Sequence, residues 1–311
     1  GMLRSLRFAR GQALLSMTTV ERYLGQLMAA PMVLIVLGLS AVPMAYSLWL
    51  VVHDYSPLHP LQTQFVGLGN FAQLAADPRV WSDLRVTLVI AGAGVPGTLV
   101  LGMGIALLFN QDVPGMRLIR ALAVVPMMVM PLLVGLVFQE LFDYRIGLVN
   151  YVVTQVFQQQ PVHWLDHPAP AVVAVIVMDL WFNTPFVTLV LLAGLRALPA
   201  EPFEAARVDG AGRWQSFWQL TLPLLRPLIL VAALLRLIGS FKLFDQIYSL
   251  TQAGPGNATE VLAYYLFVLG FKQFNLGYAA AVSYLLLAIL AVASVILIRQ
   301  LTPSPTGRGL G

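Results

Sequence analysis

Five side chains stand out because lipid is a poor solvent for them. Asp179 and Asn183 lie four residues apart in an apolar run, so on a helix they share one face. Lys242 and Asp245 lie three apart in another such run, and Arg236 precedes them by less than two turns. A charge at mid-bilayer costs about 2.5–3.5 kcal/mol on insertion scales, so each marks a candidate site. At about 1.5 Å per helical residue, Asp179 lies about 13 Å and Lys242 about 12 Å from the outer ends of their helices. At matched depth Asp179, Asn183, Lys242 and Asp245 suit the wall of a polar path, partly paired with one another. The alternative is that Lys242 and Asp245 form an intrahelical pair that lowers the cost of insertion. Arg236 finds no partner in this reading, and either faces a second membrane subunit or snorkels outward. Tyr248, one turn beyond Phe244, adds an aromatic face beside these groups; Trp181, Phe241, Phe244 and Tyr284 lie in the same half.

Several other chemistries lack their residues. The four histidines, His53, His59, His163 and His167, fall in expected loops. His163 and His167 have the i, i+4 spacing of a helical metal pair, but Pro161 and Pro168 argue against a regular helix there. No metal site, no Ser/His/Asp set and no placed carboxylate pair is assigned, so no residue is taken as catalytic. There is no Walker A sequence. Gly92, Gly94, Gly102 and Gly104 fall within an apolar run, where small residues let helices approach closely.

The stretch EAARVDGAGRWQSFWQLTLPLLRP, 204–227, is polar, rich in small residues and broken by glycine, between two apolar runs. Pro202, Glu201 and Glu204 suit the first turn of a helix over 200–208. Gly210-Ala211-Gly212 ends it. Trp214, Phe217, Trp218, Thr221 and Leu222 recur at i, i+3, i+4, i+7 and i+8, the stripe of a second helix lying at headgroup level. Pro223 and Pro227 are expected to redirect the chain into the next run. Ala205, Ala206, Gly210 and Ala211 leave little bulk, so a partner's groove could approach the backbone, with Glu204 and Asp209 as polar contacts. A plain loop packed on its own bundle fits the same residues.

These groups need elements to hold them. The chain has 311 residues, 59% hydrophobic and 10% charged, with a mean hydropathy of +0.80. A soluble domain has about 25% charged residues, so the main solvent is lipid. Cysteine is absent, which excludes disulfides and thiolate metal sites. The pI near 9.5 does not signal nucleic acid, because the arginines are scattered among loops. A span needs roughly 20 apolar residues, and six runs qualify: 29–52, 86–109, 121–139, 171–195, 227–250 and 276–298. The first lacks a small-residue cleavage site and is read as retained. With the N-terminus inside, twelve basic residues lie inside (Arg4, Arg7, Arg10, Arg22, Arg117, Arg120, Arg196, Arg207, Arg213, Arg226, Arg299 and Arg308) against Arg79, Arg85, Arg145 and Lys272 outside. The positive-inside bias then makes both termini and the 204–227 stretch cytoplasmic. The expected organisation is an all-α membrane protein: a cytoplasmic segment 1–28, six helices over 29–299 with a cytoplasmic loop at 199–223, and a disordered tail 300–311. Shorter apolar segments, 147–158 and 258–271, are expected as outer interfacial helices. No internal repeat is visible.

The pattern E-A-A-x-x-D-G-A at Glu204–Ala211, then Phe217, Leu222-Pro223 and Pro227, resembles the coupling motif of membrane subunits of binding-protein-dependent ABC importers. FVGLGNFAQLAADP (65–78) and FKLFDQIYSLTQAGPGNATEVLAYYLF (241–267) resemble the carbohydrate, maltose-transporter-like branch. The similarity covers about residues 29–300. Ala253 and Gly212 depart from it, standing where a second glycine and a small polar residue are usual. The resemblance implies a type I permease fold of six spans, without extra N-terminal spans. It implies an ATPase-docking role for Glu204, Ala205, Ala206, Asp209, Gly210, Ala211, Leu222 and Pro223. It also implies a second permease, usually a different chain, two ATP-binding subunits that hold ATP and Mg, and an extracytoplasmic binding protein docking near 53–85 and 251–275. No cofactor is expected in this chain. The location would be a bacterial or archaeal cytoplasmic membrane, and the cargo a sugar or sugar-like polyol crossing a path lined by Asp179, Asn183, Lys242, Asp245 and Tyr248. The rivals are an ion-coupled secondary transporter, which should show an inverted repeat, and a membrane enzyme, which needs clustered titratable groups.

Overall fold

The computed structural model describes residues 2–111 and 113–301; Arg308 and the tail beyond residue 301 lie outside the described residues. The chain opens with α1 (Met2–Val51), a single helix that runs through both the expected N-terminal segment and the first span. A two-residue antiparallel pair, β1 (His53–Asp54) with β2 (Gln64–Phe65), follows around a 3-10 turn. Then come α2 (Gly69–Ala76) and α3 (Pro78–Phe109). After them lie α4 (Met116–Ala123), α5 (Val125–Met128), α6 (Pro131–Leu141) and α7 (Leu148–Gln155). The second half holds α8 (Pro168–Ala197), α9 (Glu201–Val208), α10 (Arg213–Ser216), a π turn (Phe217–Thr221) and α11 (Leu222–Phe241). It closes with α12 (Asp245–Leu250), α13 (Leu262–Phe267), a second π turn (Val268–Lys272) and α14 (Leu276–Leu301).

Among the described residues, five helices are long and apolar enough to cross a membrane, and a bent pair makes a sixth if its two halves count as one span. Two expected spans differ from single rods. The third, expected over 121–139, is Met116–Met128 plus Pro131–Leu141, meeting at 97°. Met130 is extended, with φ −61° and ψ 132°, because the residue before a proline is pushed out of the α region. The fifth, expected over 227–250, starts earlier and stops earlier, at Arg213–Phe241. Lys242 closes it as a C-cap, and α12 starts afresh at Asp245. At the front, Pro223 and Pro227 do not redirect the chain: Pro223 occupies the first turn of α11, and Pro227 lies inside it. Pro223 follows just after the π turn, and the helix begun at Arg213 runs through it.

Packing between spans rests on small residues. A Cβ on Gly97 would stand 2.6 Å from Leu180, and one on Gly102 2.7 Å from Val187, so α3 and α8 touch closely along two turns. Gly194 admits Leu228 of α11, and Gly135 admits Ser249, seating α12 on α6. With lipid outside, such close van der Waals contact replaces water exclusion as the attraction between helices. Gly92 and Gly104 face open space and take no part. The larger core joins Val80, Ile90, Phe138, Met178, Ile247 and Leu262 at the end away from α9. A second core, with Met103, Phe109, Leu191 and Leu225, lies toward α9.

Candidate functional site

The elbow between α8 and α11 is built as its residues dictate. Helix α9 carries Glu201 and Glu204 in its first turn and Arg207 in its last, each matched to the helix dipole. It ends in a paired cap: the Ala211 amide donates to the Ala206 carbonyl at 2.8 Å, and the Gly210 amide to Arg207 at 3.1 Å. That 6→1 and 5→2 pair requires a left-handed residue, and Gly210 supplies it with φ +80°. No atom lies within 4 Å of where its Cβ would be, so the backbone, not space, demands glycine. Glu204, Ala205, Asp209, Gly210 and Pro223 are exposed, with Ala206, Ala211 and Leu222 half-buried. From Arg213 the chain is helical without interruption to Phe241, so the expected amphipathic helix is the first part of the span itself.

The intramembrane polar groups are arranged differently from the sequence expectation. Asp179 and Asn183 share a face, and the Asn183 amide donates to the Asp179 carboxylate at 2.9 Å. The cation beside Asp179 is Arg236, whose Nη2 donates to Oδ2 at 2.7 Å. Both side chains are buried, 3% and 1% exposed. Arg236 therefore has its partner inside this chain and neither snorkels nor awaits another subunit. Its Nε donates to Thr98 Oγ1 and its Nη2 also to Ser240 Oγ, each at 3.3 Å. A Cβ on Gly94 would lie 2.5 Å from Asp179 Oδ2, so this glycine makes the room for the pair. Three spans, α3, α8 and α11, thus meet on one guanidinium. The signal was in the sequence, as an arginine and an aspartate both too costly to bury alone, but the register between α8 and α11 was not.

Lys242 and Asp245 do not form the expected i, i+3 pair, because the helix ends between them. Both are exposed beside Tyr248, itself 40% exposed. Tyr248 belongs to an aromatic group: its ring centroid lies 5.7 Å from Phe244 and 5.7 Å from Phe267, and Phe244 lies 4.9 Å from Phe267. Lys272 sits over Tyr264 and Phe267 at 5.8 Å. Trp181 packs on Phe138, Phe241 is buried, and Tyr284 shares a 2.7 Å hydrogen bond with Ser47. His163 bonds Asp166 at 3.0 Å and stacks on Tyr144.

A second polar knot, not expected from the sequence, ties the end away from α9. Asp77 caps α3 by accepting from the Arg79 amide at 2.9 Å. It also accepts from the hydroxyls of Tyr265 at 2.9 Å and Tyr278 at 2.6 Å. Burial acts to raise its carboxyl, but Tyr278, the Arg79 amide and Tyr265 together hold it below the usual carboxylate range. Burial and the Asp77 carboxylate push the Tyr265 hydroxyl up. Arg79 makes a two-pronged bond, 3.0 and 2.7 Å, to the fully buried Glu260.

Comparison with known proteins agrees with this architecture. The chain is 35% identical over 257 residues, 83% of its length and 85% of the relative's, to the trehalose/maltose transport system permease protein MalF of Thermococcus litoralis. It is 32% identical over 279 residues, 90% of its length and 89% of the relative's, to the trehalose transport system permease protein SugA of Mycobacterium tuberculosis. In fold it matches a chain of a bacterial ABC transporter that imports the acidic polysaccharide alginate, with a TM-score of 0.77 and 21% identity over 89% of this chain and 94% of the other. Residues 94–303 match the model of binding-protein-dependent transport system inner membrane components, and the chain belongs to that family.

Proposed function

We propose that the chain is one of two permeases that together form the path of an ATP-driven importer for a sugar or sugar-like polyol. The observation that carries this is mechanical. A short capped helix with an exposed, small-residue face is joined through one left-handed glycine to a helix running unbroken from Arg213 to Phe241. A push on α9 would be delivered to the middle of the membrane. The motor is a pair of partner ATPases that hold ATP and Mg, with Glu204, Ala205, Ala206, Asp209, Gly210, Ala211, Leu222 and Pro223 at the docking face. The elbow and both termini lie in the cytosol, which fits the arginine bias. The binding protein docks at the opposite end, around 53–85 and 251–275, and the membrane is a bacterial or archaeal cytoplasmic one. The sugar class rests on relatives named for trehalose and maltose. Tyr248, Lys242 and Asp245 offer the stacking face and hydrogen-bonding groups that sugars need; Asp179 and Asn183, held beside Arg236, are assigned to the same path.

The test is uptake by the assembled transporter. Gly210→Val forces a branched side chain into the left-handed region, where L-residues lose about 1–2 kcal/mol. Glu204→Lys reverses a first-turn charge. Each is expected to lower transport at least ten-fold while the chain still inserts. Wild-type uptake in both variants would remove the coupling role.

A further inference from the structure

A cleft of about 1040 Å³ opens between the elbow and the adjoining ends of α3, α8 and α11. Its depth is apolar, with Leu99, Met103 and Leu107 along α3, Leu191 on α8 and Ile229 on α11. From Leu99 to Leu107 the wall runs about 12 Å, enough for the upper part of an extended acyl chain. Its mouth is different. Arg207 and Arg213 sit there with Trp214 and Trp218. No aspartate or glutamate lines the cleft, and neither arginine side chain has an ion-pair partner among the described residues. The two tryptophans are 72% and 51% exposed, although indoles at a membrane surface normally mark headgroup depth.

We infer that this cleft binds an anionic phospholipid, with the phosphate on Arg207 and Arg213 and one acyl chain along α3. Basic pockets between spans favour acidic headgroups, and each basic residue near the surface adds attraction. The apolar wall supplies the chain's site and the indoles its boundary. Phe203 and Arg207 of α9 line this cleft, while Ala205 and Asp209 of the same helix stay exposed. Ala211 and Leu222 of the proposed docking set also line the cleft, so the lipid would brace the back of the elbow and leave Glu204, Ala205 and Asp209 free. This inference stands apart from the identity of the cargo.

The experiment uses the full chain in nanodiscs of phosphatidylcholine doped with brominated phosphatidylglycerol, or with brominated phosphatidylcholine at the same mole fraction. Tryptophan quenching is read. Phosphatidylglycerol is expected to quench half-maximally at a roughly ten-fold lower mole fraction. That excess should vanish in Trp214→Phe/Trp218→Phe, which removes the reporters, and in Arg207→Gln/Arg213→Gln, which removes the charge. It should persist in Arg207→Lys/Arg213→Lys, which keeps the charge and checks that the fold is intact. Equal quenching by the two lipids overturns the inference, as it would if a second polypeptide fills the cleft. So does an excess that survives the glutamine pair, or one lost in the lysine pair.

Discussion

Arg236 and Asp179 lie 57 residues apart in sequence and 2.7 Å apart in space. Neither would be tolerated alone. Removing one partner of a buried pair leaves an uncompensated charge and costs about 3–5 kcal/mol, whereas replacing both with apolar groups of similar shape is often neutral. Asp179→Asn alone is therefore expected to lower thermal stability in detergent sharply. Asp179→Asn with Arg236→Met should recover most of it. Uptake in the double variant then separates two roles for Asp179. Restored stability without transport assigns it to the path; recovery of both leaves it a fastening between α3, α8 and α11. Equal instability in single and double variants would show that the pair is not what holds these helices. The sequence exposed the cost of each residue and left their pairing hidden, because the sliding of one helix along another is set by packing. Gly94 gives way to Asp179, and that steric detail has no one-dimensional signature.

Helix ends are where the elements acquire their function. Asp77 caps α3 and receives two tyrosine hydroxyls from α13 and α14, so one carboxylate holds three elements. Its carboxyl lies below the ordinary range. A depressed group contributes stability that is present above its unfolded value, about 3.9, and is lost as pH falls through its folded one. The end of the bundle around α13 should thus loosen below about pH 4. Asp77→Asn should blunt that acid step while lowering stability near pH 7 by about 1 kcal/mol, the usual worth of a cap. Thermal unfolding in detergent at pH 7 and pH 3.5 reads both, and an acid step of unchanged size in the variant would mean that other carboxylates carry it. Element by element, what the sequence made legible was local chemistry. The elbow helix was expected over 200–208 and is Glu201–Val208, since a proline, two acids and a glycine fix its ends. The third span was read as continuous because its composition is apolar throughout, yet Pro126 and Pro131 stand inside it and the chain bends by 97°. Proline punctuation outweighs hydropathy there. The fifth span, expected to run to residue 250, stops earlier for a related reason: Lys242 and Asp245, expected on one helix as path residues, stand on either side of its end. Hydropathy registers what a segment prefers as solvent, not where its hydrogen-bond ladder stops.

At the scale of the whole molecule, we propose that the chain supplies one half of the path. A solitary transporter would wrap its path within its own spans. Here Lys242, Asp245 and Tyr248 are exposed on the chain's surface, and a charged lysine and aspartate facing hydrocarbon would each cost about 2.5–3.5 kcal/mol. The apolar Met28–Val51 stretch of α1 lies almost uncovered along the bundle. An apolar helix can stay in lipid at no cost, but the exposed charges need either water or a facing subunit. A second permease placed against α12 would enclose them and convert an unfavourable surface into one wall of an aqueous path. At the other end the elbow presents Glu204, Ala205 and Asp209 exposed, where the proposed ATPase would dock. Affinity purification from its native membrane is therefore expected to bring down a second permease and an ATPase with this chain. Proteoliposomes holding this chain alone should show no uptake, while the co-purified assembly should transport when ATP is supplied on the elbow's side. An ion gradient that drives uptake through the solitary chain would instead favour a secondary transporter, with Lys242 and Asp245 on a path within one subunit.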